Sequence, residues 1–288
     1  MSWEHGTIGL GDNCAPSEIG PGNRERDFEY LATWIRQGYA IVATDYIGLG
    51  TPGVHAYLDG RAEAHAAIDM VRAGRALNPS LATKWVAIGQ SQGGGATVWT
   101  ASLATAYAPE LDYRGAVATA PASNIVDFLQ LAGPDTPDFG LPNLTAYMTY
   151  VLRGLKAARP EWDMDSYLTP LGKQVVAAAG TTCYTDMLSV VSDRPLHTLL
   201  SRPMTDGDFV LVARPVMDVP LTDYDRPLFI GQGTADKSIP LPLTKKLVRD
   251  LNRHGFSPTL HIYPGIDHGG VLAASLPDSV PFVAALYA

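Results

Sequence analysis

Gly89-Gln90-Ser91-Gln92-Gly93 lies between Trp85-Val86-Ala87-Ile88, an uncharged apolar run, and Gly94-Gly95-Ala96-Thr97-Val98-Trp99, the head of an alanine-rich stretch. The apolar run reads as a short buried strand and the stretch beyond has helical spacing. A serine centred in G-x-S-x-G at a strand-to-helix turn sits in a bend too tight for bulk two residues to either side. Glycine at 89 and 93 meets that need. The hydroxyl then stands free above the sheet, with the Gln92 amide beside it and the dipole of the following helix beneath it. Ser91 is the candidate nucleophile.

The flanks alternate in type. Arg26 to Gln37 carries Phe28, Leu31, Ala32 and Ile35 at helical spacing and is stopped by Gly38. Ala40-Ile41-Val42-Ala43-Thr44 is predicted to be a buried strand, with Asp45 to Gly50 as its turn-rich exit. Arg61 to Leu77 reads as a helix ended by Asn78-Pro79, and the helix after Ser91 runs to about Tyr107. Gly115 to Ala120, Leu228 to Ile230 and Thr259 to Tyr263 are further strands. Leu241 to Arg253 is predicted to be helical, and a terminal helix is expected from about Ser279. This alternation implies an α/β chain with a mostly parallel sheet covered by helices on both faces. Its reactive groups should gather at the carboxyl ends of the strands.

One long stretch breaks the rhythm. Ala132-Gly133-Pro134-Asp135-Thr136-Pro137-Asp138 is a cluster of breakers, and no strand–helix alternation resumes before Arg226-Pro227. Leu144, Tyr147, Met148, Val151, Leu152 and Leu155 fall on one face of a predicted helix. Val175 to Ala179 and Met187 to Val191 are further helical pieces. The expected organisation is an α/β core from residues 1–121 and 225–288, with a mainly helical cap at 122–224. The cap's apolar stripe reads first as packing against the core; a transient lipid-interface contact is the other reading.

Composition narrows the chemistry. The 288 residues are 46% hydrophobic and 17% charged, which suits a large buried core. A formal net charge of −8 and the lack of a Lys/Arg cluster speak against nucleic acid as a partner. No run of apolar residues is long enough to predict a membrane span. Met1 is followed by Trp3-Glu4-His5-Gly6 with no basic and apolar lead-in, so no signal peptide is predicted. The two cysteines, Cys14 and Cys183, are outside any C-x-x-C spacing. His55, Asp59, Glu63 and His65 are the densest group of ligand-type side chains, without H-E-x-x-H spacing. They read as a solvated helix face, so no metal and no cofactor is expected.

A serine hydroxyl is a poor nucleophile at neutral pH; it needs a base, and the base needs an orienting carboxylate. With a nucleophile at this kind of elbow the chain order is Ser, then Asp or Glu, then His. Asp236 follows a late strand and His268 follows the last one, so both should face Ser91. Among the rivals, His261 lies within its strand, His254 at a helix end and His197 in the cap. Asp223 and Asp225 precede their strand, at the wrong edge of the sheet. Near the start, His5-Gly6 follows a scrap of strand, and the amide of Thr7 is the candidate second oxyanion donor beside that of Gln92.

Several blocks together resemble the secretory lipase family of α/β-hydrolases, which includes the Candida lipase A type and actinobacterial members. They are His5-Gly6-Thr7 with Cys14-Ala15-Pro16-Ser17, Asp45 to Gly53, Ile88 to Gly94, Gly233-Thr234-Ala235-Asp236, and Asp267-His268. The resemblance covers nearly the whole chain. It implies a carboxylester hydrolase or lipase with a helical cap, acting on small or lipid esters and usually secreted. It assigns Ser91 as nucleophile, Asp236 as orienting acid, His268 as base, and Thr7 and Gln92 as oxyanion donors. It also implies a disulfide between Cys14 and Cys183, tying the oxyanion loop region to the cap. Members carry further strands and a leader before the His-Gly block, whereas this chain starts four residues ahead of His5. The first strands of the sheet are therefore expected to be missing, leaving an exposed edge, in a naturally short or a trimmed member. An acyltransferase or peptidase would use the same triad, and a catalytically silent binding module would keep the fold.

Overall fold

The computed structural model describes residues 1–288, the side chain of Arg24 excepted. The chain opens with β1 (Ser2–Glu4), the short helix α1 (Pro16–Ile19), α2 (Arg24–Arg36), β2 (Val42–Ala43) and α3 (Gly60–Leu77). Then follow β3 (Lys84–Gln90), α4 (Gln92–Tyr107) and β4 (Asp112–Thr119). Six strands form one sheet in the order β2-β1-β3-β4-β5-β6, in which β5 is Leu228–Gly233 and β6 is Thr259–Tyr263. Every pairing is parallel.

Alternation along β3 decides which helices lie where, because successive side chains point to opposite faces. Val86 and Ile88 face a cluster with Trp3, Tyr30, Trp34, Val117, Phe229, Leu272 and Val283, so α2 and the last helix cover this side. Trp85 and Ala87 face Ile68, Val71, Val98, Leu247 and Leu251 on the other. That side is covered by α3, α4 and the helix between β5 and β6, Leu241–Arg253. Both faces are dry, which is why the central strands read as continuous apolar runs.

Between β4 and β5 the chain is helical: α5 (Ile125–Leu129), α6 (Pro142–Ala158), α7 (Pro170–Ala179), α8 (Tyr184–Val190), α9 (Leu196–Leu199) and α10 (Phe209–Met217). These helices share their own core, built on Tyr150, Leu152, Leu155, Tyr167, Leu199 and Phe209, and it reaches Tyr57, Leu58 and Ile239 outside the insertion. Asp127 of α5 and Arg214 of α10 are 2.6 Å apart, and Lys246 approaches Asp127 at 3.3 Å. Lys246 belongs to α11 (Leu241–Arg253), so charges join the insertion to the α/β layer. No helix among the described residues is long and apolar enough to cross a membrane.

Four sequence expectations change. Ala40 to Thr44 is not a buried strand; only Val42–Ala43 pairs, at the edge of the sheet, and Ala43 is exposed. Phe28 and Ile35 face solvent, and α2 turns Asp27, Tyr30 and Trp34 inward instead. Tyr30 and Trp34, four residues apart on one side of α2, fill the gap beneath the sheet, and this turns Phe28 and Ile35 outward. The last helix, α12, spans Val271–Tyr287 and contains Pro277 and Pro281. Burial of Leu272 and Val283 against the sheet offsets the hydrogen bonds those prolines remove. His55 and Glu63 are not on a solvated face: both are buried, while Asp59 caps α3 through Ala62 N–H and His65 stacks on Tyr107.

The buried carboxyl of Glu4, at the end of β1, is a measurable liability. Its Oε2 lies 3.1 Å from Thr97 Oγ1, whose single hydrogen also has Gly93 O at 2.7 Å, and Thr100 is the other hydroxyl beside the carboxyl. Burial holds its pKa well above the ordinary carboxylate range, with the neighbouring Glu63 adding to the effect. The folded state thus binds this proton more tightly than the unfolded chain does. The associated stability is complete below the ordinary carboxylate pKa and is lost as pH rises toward the folded value. Above the ordinary carboxylate range stability should therefore fall with rising pH relative to Glu4→Gln. Urea unfolding of both proteins from pH 5 to 8 checks this; parallel pH profiles would refute it.

Candidate active site

Ser91 is the hinge between β3 and α4, with φ 62° and ψ −119°. A non-glycine residue held there is strained, and such strain persists where the surroundings over-determine it. Here they do. Ser91 N–H donates to Thr119 O at 3.0 Å, and Ser91 O accepts from the Gly95 and Ala122 amides, each at 3.0 Å. A Cβ on Gly89 would collide with the Gly93 carbonyl and the Thr97 hydroxyl, and one on Gly93 would collide with the Glu4 carbonyl. The two glycines let helix and strand close to this distance. Ser91 is 8% exposed, and its hydroxyl opens onto a cavity.

His268 lies on the loop after β6, with Nε2 2.9 Å from Ser91 Oγ. Its Nδ1 is 2.7 Å from Asp236 Oδ2. Asp236 leaves the end of β5 with its carboxylate fully enclosed. Oδ1 accepts from the amides of Ser238 and Ile239, each at 2.8 Å, and Oδ2 also accepts from Gln232 Nε2 at 3.1 Å. Four donors compensate the desolvated charge and leave Oδ2 aimed at the imidazole. A carboxylate so held fixes the imidazole hydrogen on Nδ1, which leaves Nε2 to accept from the serine hydroxyl.

The structure places Thr7 on a loop that passes directly over this hinge; a Cβ built on Gly6 would stand 3.5 Å from Ser91 Cβ. Thr7 Oγ1 is 2.6 Å from Tyr57 OH. Burial raises the pKa of Tyr57 well above the ordinary phenol value, so the hydroxyl keeps its proton. Gln92 is the first residue of α4, where amides have no partner within the helix. Neither the Thr7 nor the Gln92 amide has a backbone acceptor among the described residues. Cys14 and Cys183 are joined by a disulfide. Beside it, Leu10 N–H donates to Thr182 O at 3.3 Å and Tyr184 N–H to Ile8 O at 2.9 Å, stitching the loop after Thr7 to the start of α8.

The cavity at Ser91 measures about 60 Å³ and is walled by Tyr57, Leu58, Leu129, Tyr147, Val151 and Ile239, among others. A wider groove of about 370 Å³ shares Phe128, Leu144 and Met148 with it. Of the stripe read from sequence on α6, Leu144, Tyr147, Met148 and Val151 reach the cavity, whereas Leu152 and Leu155 turn into the core of the insertion.

The rival residues are elsewhere. Asp225 accepts from Thr105 Oγ1 and pairs with Arg226, and Asp223 bonds Thr222. His261 stacks on Phe229, and His254 bonds its own helix at Asp250 O. Sequence reasoning missed the supports. Gln90 Nε2 donates to His268 O at 3.0 Å, and Thr244 Oγ1 donates to Gln232 Oε1 at 2.7 Å to orient the amide that holds Asp236. One signal was available: Gln90 is the last residue of β3 and Gln232 the penultimate residue of β5, each a buried amide at the carboxyl end of a mainly apolar strand.

Comparison with known proteins agrees on fold and family. The chain is 28% identical over 185 residues to a secreted triacylglycerol lipase of Malassezia furfur, covering 59% of this chain and 37% of that protein. It is 34% identical over 145 residues to lipase A of Moesziomyces aphidis, covering 49% of this chain and 28% of that protein. The chain therefore spans about a third of the length of these curated relatives. The closed-state structure of Candida antarctica lipase A superposes with a TM-score of 0.74 at 21% identity, covering 99% of this chain and 70% of that one. That likeness shows the fold, which is the α/β-hydrolase fold. The secretory lipase family profile matches residues 24–262, most of the sequence, and the chain belongs to that family.

Proposed function

We propose that the chain is a serine carboxylester hydrolase in which Ser91, His268 and Asp236 form the catalytic triad. The observation that carries the reading is the unbroken relay from Ser91 Oγ to His268 Nε2 (2.9 Å) and from His268 Nδ1 to Asp236 Oδ2 (2.7 Å). Ser91 Oγ attacks the ester carbonyl while His268 Nε2 takes its proton. The carbonyl π pair moves onto oxygen, which the Thr7 and Gln92 amides receive at the positive end of α4. Collapse expels the alcohol, protonated by His268, and leaves an acyl-enzyme. Water, deprotonated by the same imidazole, then releases the acid. Asp236 stays ionised throughout and stabilises the imidazolium.

The helical insertion at 122–224 is the cap in this reading, and it sets the substrate. The acyl carbons next to the carbonyl occupy the small apolar cavity, and a longer chain continues past Phe128, Leu144 and Met148 into the wider groove. A lipid ester fits this path. The disulfide and the naming of the Malassezia relative as secreted support a place outside the reducing cytosol.

Rates on p-nitrophenyl esters of increasing chain length, with fluorophosphonate labelling, test the assignment. Ser91 should take the label, and labelling that persists in Ser91→Ala would end it. Met148→Trp adds bulk at a side chain that lines both cavities. It should lower kcat/KM for octanoate at least about tenfold more than for acetate, the scale set by loss of a few methylene contacts. An unchanged profile would assign Met148 to packing alone.

A further inference from the structure

The chemistry of Ser91 uses the Gln92 backbone; the Gln92 side chain has a separate and wholly buried set of partners. Gln92 is 2% exposed, Glu63 1% and His55 2%. Gln92 Nε2 lies 2.7 Å from Glu63 Oε1 and 2.9 Å from His55 Nε2. His55 Nδ1 is 3.0 Å from Ile47 O. A carbonyl only accepts, so Nδ1 carries a hydrogen; in the neutral ring Nε2 is then an acceptor, and it also stands 3.4 Å from Glu63 Oε1. Gln92 then donates one N–H to His55 and the other to Glu63. The reverse amide orientation would set its oxygen against the Glu63 carboxylate. Tyr46 stacks on the His55 ring, 5.5 Å between centroids and 9° from parallel, and locks its plane.

The same Glu63 oxygen accepts from Leu58 N–H at 3.1 Å. Leu58 has φ 62°, a left-handed backbone rarely adopted by a leucine, and it needs an external constraint. Its neighbour Tyr57 is the residue whose hydroxyl meets Thr7 Oγ1. One carboxylate oxygen therefore constrains both sides of the oxyanion hole, Gln92 directly and Thr7 through the 57–58 turn. A buried carboxylate is an expensive way to join two segments unless the geometry it fixes matters.

We propose that Glu63, acting through the Gln92 side chain and the Leu58 amide, is a positioning residue for the oxyanion hole. It touches neither substrate nor the reacting atoms. It acts by holding the two amides in place before charge develops on the substrate oxygen. The proposal rests on Ser91 being the nucleophile, so its test separates the two.

The test compares a short-chain trifluoromethyl ketone with the methyl ketone of the same chain. Ser91 Oγ adds to the activated carbonyl carbon, its proton passes to His268, and the π pair becomes an oxyanion in the hole. The methyl ketone binds without that addition and reports ground-state fit. In Glu63→Gln the trifluoromethyl ketone should bind at least about tenfold more weakly while the methyl ketone changes less than about threefold, since a displaced donor costs part of what a deleted one does. Gln92→Ala keeps the amide, removes the clamp, and should show the same selective loss; it decides the matter if Glu63→Gln does not fold. Equal weakening of both ketones, or a lower Tm with an unchanged ratio, makes Glu63 a structural carboxylate and overturns the proposal. If fluorophosphonate labels wild-type Ser91 and the ratio is unchanged, the positioning role alone fails. If Ser91 is not labelled, the triad reading fails and the positioning role fails with it.

Discussion

Ser91→Ala is expected to lower kcat on a short-chain ester by roughly a millionfold, His268→Ala by a similar factor, and the double variant by no more than either alone. Non-additivity follows from the geometry: with Nε2 2.9 Å from Oγ, each group is useless without the other. Residual turnover should persist above the uncatalysed rate, because the Thr7 and Gln92 amides and the apolar cavity survive both substitutions. Asp236→Asn should cost about ten-thousandfold, since an amide in place of Oδ2 no longer favours the hydrogen on His268 Nδ1. Single-turnover assays check the series. If Asp223→Asn or Asp225→Asn costs as much as Asp236→Asn, the orienting acid is misassigned; their bonds to Thr222 and Thr105 argue that neither will.

What could be read in advance was what local chemistry dictates. The turn at Ser91 is legible because the approach of α4 to β1 and β3 excludes any Cβ at Gly89 and Gly93, and the residue types record that exclusion. Asp236 and His268 were findable because strand exits collect at one end of a parallel sheet. Glu63 and His55 were not. Their spacing resembles a solvated face of a helix, and only the tertiary approach of residues 47 and 58 and the start of α4 encloses them. A polar residue declares its burial through partners that are remote in sequence, so periodicity misfiles it. The early start of α12 was hidden for the opposite reason. Pro277 and Pro281 are honest local breakers, overruled by packing of the helix on the sheet.

The disulfide should dominate the stability of the chain, and its loss is the second large effect. Cys14 and Cys183 are 169 residues apart in sequence, so the bond closes most of the chain into one loop of the unfolded ensemble. In the chain-entropy account a loop of that size is worth roughly 5 kcal/mol, less where the unfolded chain keeps residual structure. That compares with a net stability of about 5–15 kcal/mol for typical domains. Replacing both cysteines by serine should therefore lower Tm by roughly 10 °C. Some of the loss will be local, because Cys14 is fully buried beside Ile8, Tyr46, Leu49 and Ala96, and a serine hydroxyl there is desolvated. Activity should respond far less than stability at 25 °C. The backbone bonds from Leu10 to Thr182 and from Tyr184 to Ile8 remain, and they hold the loop after Thr7 against α8 without the sulfurs. Calorimetry and ester turnover on the double variant separate the two effects. A Tm within about 2 °C of the parent would mean that the unfolded chain is compact enough to make the cross-link redundant. A collapse of turnover in protein that is still folded would mean that the bond, rather than the backbone pairing, sets the position of Thr7.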